Sequence, residues 1–288
     1  MENLYDKTKF ILKKYNISAN KSLGQNFLIN DDVVNKIIES SDITDNDLVI
    51  EIGPGLGNLT EFLLEKAGKV IAIELDQRMI TILNERFSLY NNFELINEDV
   101  LKVNLKELIN KNKNSKITNV KIVANLPYYI TTPIIMKLLE DKLDIETITV
   151  MVQKEVADRL IAVPGEKVAG AITYSVYYYA TSESISIVER NSFIPEPEVS
   201  SEVIKLTIRK EFPVKLLSEE NFFKIIKASF MQRRKTLINA LVNGGILQNK
   251  DETKRVFDNL KIDYNTRGET LPIEKFAEIS NYIIKNKF

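Results

Sequence analysis

The chain has 288 residues, 44% of them hydrophobic and 27% charged, proportions that are globular and leave room for one large domain and a smaller one. It contains no Cys, His or Trp, which excludes disulfides, thiolate or imidazole catalysis and Cys/His metal sites; chemistry must run on carboxylates, amides, hydroxyls and backbone groups, or on a cofactor. The 39 basic and 40 acidic side chains are unevenly spread: residues 1–21 carry five lysines against Glu2 and Asp6, residues 190–288 carry 18 basic against 13 acidic side chains, and the middle is acidic.

No apolar run approaches the roughly 20 residues of a membrane span, and the N-terminus is too charged for a signal peptide, so a cytoplasmic protein is expected. Residues 1–21 are expected to be a basic arm that orders on a polyanion. Beyond it, β-branched runs at 48–51, 69–74, 93–97, 121–124 and 147–153 alternate with helical periodicity at 32–40, 59–66, 77–87, 105–111 and 133–139. Such alternation predicts βαβ units, an α/β fold with a parallel sheet and helices on both faces. Two further helical patterns follow residue 153, then β-like segments at 185–188 and 203–208. From residue 218 onward only helix signals occur, at 219–230, 235–242, 254–260 and 273–284. The predicted division is 1–21, 22–209 and a small all-helical 210–288.

Three features carry chemistry. The first is Glu51-Ile52-Gly53-Pro54-Gly55-Leu56-Gly57, placed between a predicted strand and a predicted helix. Glycines there permit a sharp turn and close backbone approach to a ligand at a helix N-terminus. A dinucleotide fingerprint needs Gly at position 58, where this chain has Asn58. The second is a pair of acids at the ends of the next two strands: Glu74, placed to accept ribose hydroxyls, and Asp99, placed to accept an exocyclic purine amine. The constellation resembles the S-adenosylmethionine site of class I (Rossmann-like) methyltransferases. An acidic pocket suits a ligand that bears a sulfonium and an ammonium but no phosphate.

The third is Asn125-Leu126-Pro127-Tyr128, directly after the fourth strand. It resembles the catalytic motif of methyltransferases acting on adenine N6 and related nitrogens. An exocyclic amine is a poor nucleophile because its lone pair is delocalised, and acceptors on its N–H groups favour the pyramidal geometry that localises the pair. The Asn125 side-chain oxygen and the Leu126 carbonyl are the expected acceptors. Pro127 stiffens the turn, and Tyr128 offers a face for an extruded base.

With Lys21 to Leu28, Val152 to Leu160, Pro195 to Ser201 and Phe230 to Leu237 added, the chain resembles the ribosomal RNA adenine dimethyltransferase family, in its small-subunit, KsgA-type branch. The resemblance implies S-adenosylmethionine-dependent dimethylation of N6 of two adjacent adenosines in the 3′-terminal hairpin loop (helix 45) of 16S rRNA, within an immature small subunit. It carries cofactor roles over to Asn26, Leu28, Gly53, Glu74, Asp99 and Asn125; Gln25 adjoins them in the closing element, and Glu51, Gly55 and Gly57 belong to the glycine loop. Residues 221–250 hold no Asp or Glu, so Lys224, Lys227, Arg233, Arg234 and Lys235 are the expected rRNA phosphate contacts. A monomer without metal or membrane is expected. The alternatives are a large-subunit resistance methylase, a non-catalytic assembly factor on the same scaffold and, more remotely, a dehydrogenase.

Overall fold

A computed structural model describes residues 3–20, 23–232 and 234–286. The chain divides into two compact units, Met1–Ala157 with Ser182–Ile208, and Asp158–Thr181 with Arg209–Phe288.

The first unit holds α1 (Leu4–Lys14), β1 (Phe27–Leu28), α2 (Asp31–Ser40), β2 (Asp47–Ile52), α3 (Thr60–Lys66), β3 (Lys69–Glu74), α4 (Gln77–Phe87), β4 (Phe93–Asn97), α5 (Leu105–Asn112), β5 (Asn119–Asn125), α6 (Thr131–Glu140) and β6 (Thr147–Gln153). After α7 (Lys154–Ile161) and α8 (Ala171–Tyr179) come β7 (Ala180–Val188), β8 (Phe193–Ile194) and β9 (Ser201–Ile208). Seven strands form one sheet in the order β4-β3-β2-β5-β6-β9-β7, and β1 pairs separately with β8. Strands β4 to β6 pair in parallel across this order, while β9 runs antiparallel to β6. All six residues of β2 are buried, as a parallel strand covered on both faces requires. Even Asp47 is enclosed there, paired with Lys121 of β5 at 3.1 Å.

Helix α1 replaces the expected arm. Leu4, Thr8 and Ile11 form its buried stripe, Asn3 caps it, and Lys7 and Lys14 pair with Glu61 and Glu85. The spacing of Leu4 and Ile11 is helical, but lysines surround them and the apolar stripe is narrow. Two of the five N-terminal lysines are thus held by the protein's own carboxylates, while Lys21 lies outside the described residues.

The second unit consists of α8 with α9 (Glu219–Met231), α10 (Leu237–Asn243), α11 (Lys250–Leu260) and α12 (Ile273–Asn286). It takes in Asp158–Thr181, which the sequence pattern assigned to the preceding domain. The reason is aromatic. Tyr174 of α8 is fully buried, its ring lies 5.1 Å from Phe276, and its hydroxyl donates to the Leu271 carbonyl at 2.5 Å. Tyr178 and Tyr179 pack on Phe212, Phe222 and Phe223. No helix among the described residues is long and apolar enough to cross a membrane.

Candidate active site

The sheet order reverses between β2 and β5: the chain builds outward through β3 and β4, then crosses to β5 and β6. A crevice therefore opens at the carboxyl ends of β2 and β5, the usual ligand position in such sheets. It encloses about 990 Å³ of empty space, part of it open to solvent, and Gln25, Asn26, Leu28, Glu51, Gly53, Gly55, Glu74, Asp99, Asn125, Leu126, Pro127 and Tyr128 all line it. Gly57 does not. A Cβ on Gly57 would stand 2.5 Å from the Phe87 ring and 2.9 Å from Leu83, so this glycine serves the packing of the loop on α4.

One wall is acidic. Glu51 is 2% exposed and accepts from Thr60 Oγ1 at 2.6 Å; burial first, and then the neighbouring Glu74 carboxylate, push its pKa up to about 8. Glu74, also buried, accepts from the backbone N–H of Gly55 at 3.0 Å and of Asp76 at 2.8 Å. Burial raises its pKa although these bonds oppose the shift. Asp99 lies half-buried beyond β4, where its Oδ1 accepts from Leu101 N at 3.0 Å.

The opposite wall is neutral. Asn125 closes β5, and its Nδ2 donates to the Asn26 carbonyl at 3.2 Å. With Nδ2 so committed, Oδ1 is the atom it presents as an acceptor. Leu126 is held by its N–H on the Met151 carbonyl at 3.1 Å, and the Pro127 carbonyl accepts from Ile130 N and Thr131 Oγ1, leading the chain through a 3-10 turn into α6. The Tyr128 hydroxyl lies 2.6 Å from Ser201 Oγ, and burial raises its pKa. Ser201, fully buried, explains the end of the Pro195–Ser201 motif: it anchors the aromatic side chain of the loop.

Leu23 to Leu28 cross between the walls. The side-chain amide of Gln25 is engaged at both ends, accepting from Asn20 N at 2.9 Å and donating to Asp76 Oδ2 at 2.8 Å. It therefore lines the cavity as a brace. Sequence reasoning overlooked Asp76, Tyr129 and the role of Asn58. Asn58 Nδ2 donates to Thr8 Oγ1 and to the Leu28 carbonyl, both at 2.8 Å, joining α1 and β1 to the glycine loop. Its one legible signal was a large amide where a dinucleotide site needs glycine.

In the second unit Lys224, Lys227, Arg234 and Lys235 are exposed, while Arg233 lies outside the described residues. Lys224 is not free of acids: Glu220, one turn earlier on α9, pairs with it at 2.6 Å.

Residues 16–285 match the ribosomal RNA adenine dimethylase family. Proteins named ribosomal RNA small subunit methyltransferase A from a Geobacillus strain and from Clostridioides difficile are each 48% identical over 279 residues, covering 96% and 97% of this chain and 95% and 96% of theirs. The crystal structure of a Plasmodium falciparum dimethyladenosine transferase superposes with a TM-score of 0.74 at 27% identity, covering 91% of this chain and 98% of that one. The 23S rRNA methyltransferase ErmE shares the fold, with a TM-score of 0.65 at 24% identity over 88% of this chain and 98% of its own. The chain belongs to the ribosomal RNA adenine dimethylase family, whose reaction is methylation of adenine in ribosomal RNA.

Proposed function

We propose that this protein uses S-adenosylmethionine to dimethylate N6 of two adjacent adenosines in the helix 45 hairpin of 16S rRNA, and that it acts in the cytoplasm on immature small subunits during their biogenesis. The observation that carries the catalytic assignment is the Asn125 Nδ2 bond to the Asn26 carbonyl, which leaves an amide oxygen as acceptor beside an acidic cradle.

The residues present fit the cofactor. Buried Glu51 and Glu74 oppose a phosphate-bearing ligand and favour a cationic one. The positive φ of Gly53 and Gly55 brings backbone to the cavity, where added Cβ atoms would meet Pro127 and Phe27 at 3.6 and 3.4 Å. When bound, S-adenosylmethionine supplies an electrophilic methyl group on an already activated sulfonium leaving group. Glu74 would hold the ribose hydroxyls, Asp99 the exocyclic amine of the cofactor adenine, Glu51, protonated in the ligand-free protein, would give up its proton to answer the positive charge, and Asn26 and Leu28 would close the site.

Asn125 Oδ1 and the Leu126 carbonyl accept the N–H groups of the target amine and favour its pyramidal form. Pro127 keeps the turn stiff. Tyr128, held by Ser201, presents its ring to an extruded base. No side chain needs to act as a strong base, consistent with a chain that lacks His and Cys. Lys224, Lys227, Arg233, Arg234 and Lys235 serve rRNA phosphates, and the names of the 48% identical relatives favour the small subunit over the large one.

The test is incubation with labelled S-adenosylmethionine and small subunits from a strain lacking the modification. Label is expected in N6,N6-dimethyladenosine of 16S rRNA. Label confined to 23S rRNA, or absent, overturns the assignment.

A further inference from the structure

We propose that Asp76, which lies outside the reacting centre, is a positioning residue for the transfer: it clasps Gln25, and with it Asn20 and Asn26, to the loop bearing Glu74 and thereby sets the place of the Asn125 amide. The proposal rests on the assignment of Glu74 to the cofactor and of Asn125 to the target amine.

Asp76 caps α4, with Oδ1 accepting from Arg78 N at 3.0 Å. Capping requires one oxygen, and serine or asparagine meets it as well. The second oxygen does other work here. Oδ2 accepts from Gln25 Nε2 at 2.8 Å, and the Asp76 backbone N–H donates to Glu74 Oε1 at 2.8 Å. One residue thus holds both a cavity carboxylate and the crossing segment. At 7% exposure its bonds are shielded from competing water. Arg78 extends the clasp by donating from Nη1 to the Ser18 carbonyl at 3.3 Å.

The far edge of the same segment lies on the neutral wall. Asn26, next to Gln25, offers the carbonyl that takes Asn125 Nδ2 at 3.2 Å. Gly24 faces the same loop: a Cβ there would stand at contact distance, 3.4 Å from Tyr129 Cδ1 and 3.6 Å from Tyr128 N. With the Gln25 amide engaged by Asn20 and Asp76, a shift at Asp76 passes through two adjacent residues to the amide oxygen that meets the substrate.

Asp76→Ser keeps a capping oxygen but cannot reach Gln25, and it also gives up the Arg78 guanidinium that Asp76 holds at Oδ1 (3.0 Å) and Oδ2 (2.5 Å), so the clasp alone is isolated by a change at Gln25. Gln25→Ala is that change. In the full-length protein without ligand, both variants are expected to raise amide hydrogen exchange over residues 23–28 while leaving α4 protected. Both should weaken S-adenosylmethionine binding in calorimetry by about tenfold, the scale of one charge-assisted hydrogen bond, and lower kcat at saturating cofactor. The double variant should be no worse than the more affected single one. Wild-type exchange and wild-type Kd in Asp76→Ser, or losses that add in the double variant, overturn the proposal alone. A wild-type protein that binds no S-adenosylmethionine overturns the cofactor assignment and the proposal with it.

Discussion

The two walls of the cavity solve different problems. On β2 and β3 the functional atoms are carboxylates held out of water, each costly to ionise where it stands. On β5 they are an amide oxygen, a backbone carbonyl and an aromatic ring, all neutral and fixed by hydrogen bonds to neighbouring segments. Under the proposed function, carboxylates serve the wall that takes the cationic cofactor, and neutral acceptors serve the wall that takes the uncharged amine, because a formal anion there would compete for the cation and displace the nucleophile.

The contrast breaks most severely at Asn125. Asn125→Ala is expected to lower single-turnover methyl transfer by about 10²–10³-fold, the scale of losing one preorganised transition-state hydrogen bond, with calorimetric S-adenosylmethionine affinity nearly unchanged. Equal losses in transfer and affinity would place Asn125 on the cofactor side. Glu74→Gln should do the reverse: affinity falls about 10–100-fold, as for loss of a charged acceptor, while kcat at saturation is largely kept.

Glu51 sharpens the acidic side through pH. Its folded pKa of about 8 lies above the ordinary 4.5, so between these values the native state holds a proton that the unfolded chain has released. Native stability therefore falls as pH rises through that window. Glu51→Gln, which cannot ionise, should melt a few degrees higher than wild type at pH 8.5, with the gap closing toward pH 4.5, in thermal scans of the ligand-free protein. A gap independent of pH would mean that Glu51 is ionised and compensated. The smallest effect is expected on the neutral wall: Tyr128→Phe retains the ring and loses the Ser201 bond, lowering turnover about 2–10-fold, the scale of one neutral hydrogen bond. A far larger loss would give the hydroxyl a role beyond anchoring the ring.

Much of this was legible in the chain. The buried parallel strands read as continuous β-branched runs, and five expected strands coincide within two residues at each end with β2 to β6. The convergence of Glu51, Glu74, Asp99 and Asn125 on one cavity was legible because strand ends in such a sheet meet along one edge. Gly57 stands behind the cavity, against Phe87; this was not legible, because a glycine that admits a ligand and one that admits a neighbouring ring look alike in sequence. Helix α1 was missed because its buried face is three residues wide, and α8 was grouped with the wrong unit because its tyrosines carry no label for their partners.

The sequence by itself determined the order of the five parallel strands and the helices between them, the acids at the strand ends and the Asn-Leu-Pro-Tyr turn, since these follow from local periodicity and from the chemistry of neighbouring residues. Only the tertiary structure decided which atoms of those residues remain available. Asn125 Nδ2 is spent on Asn26, the Gln25 amide on Asn20 and Asp76, and the Tyr128 hydroxyl on Ser201. These partners lie between 5 and 99 positions apart in the chain; most are brought together by long-range packing, and no local pattern records those pairings.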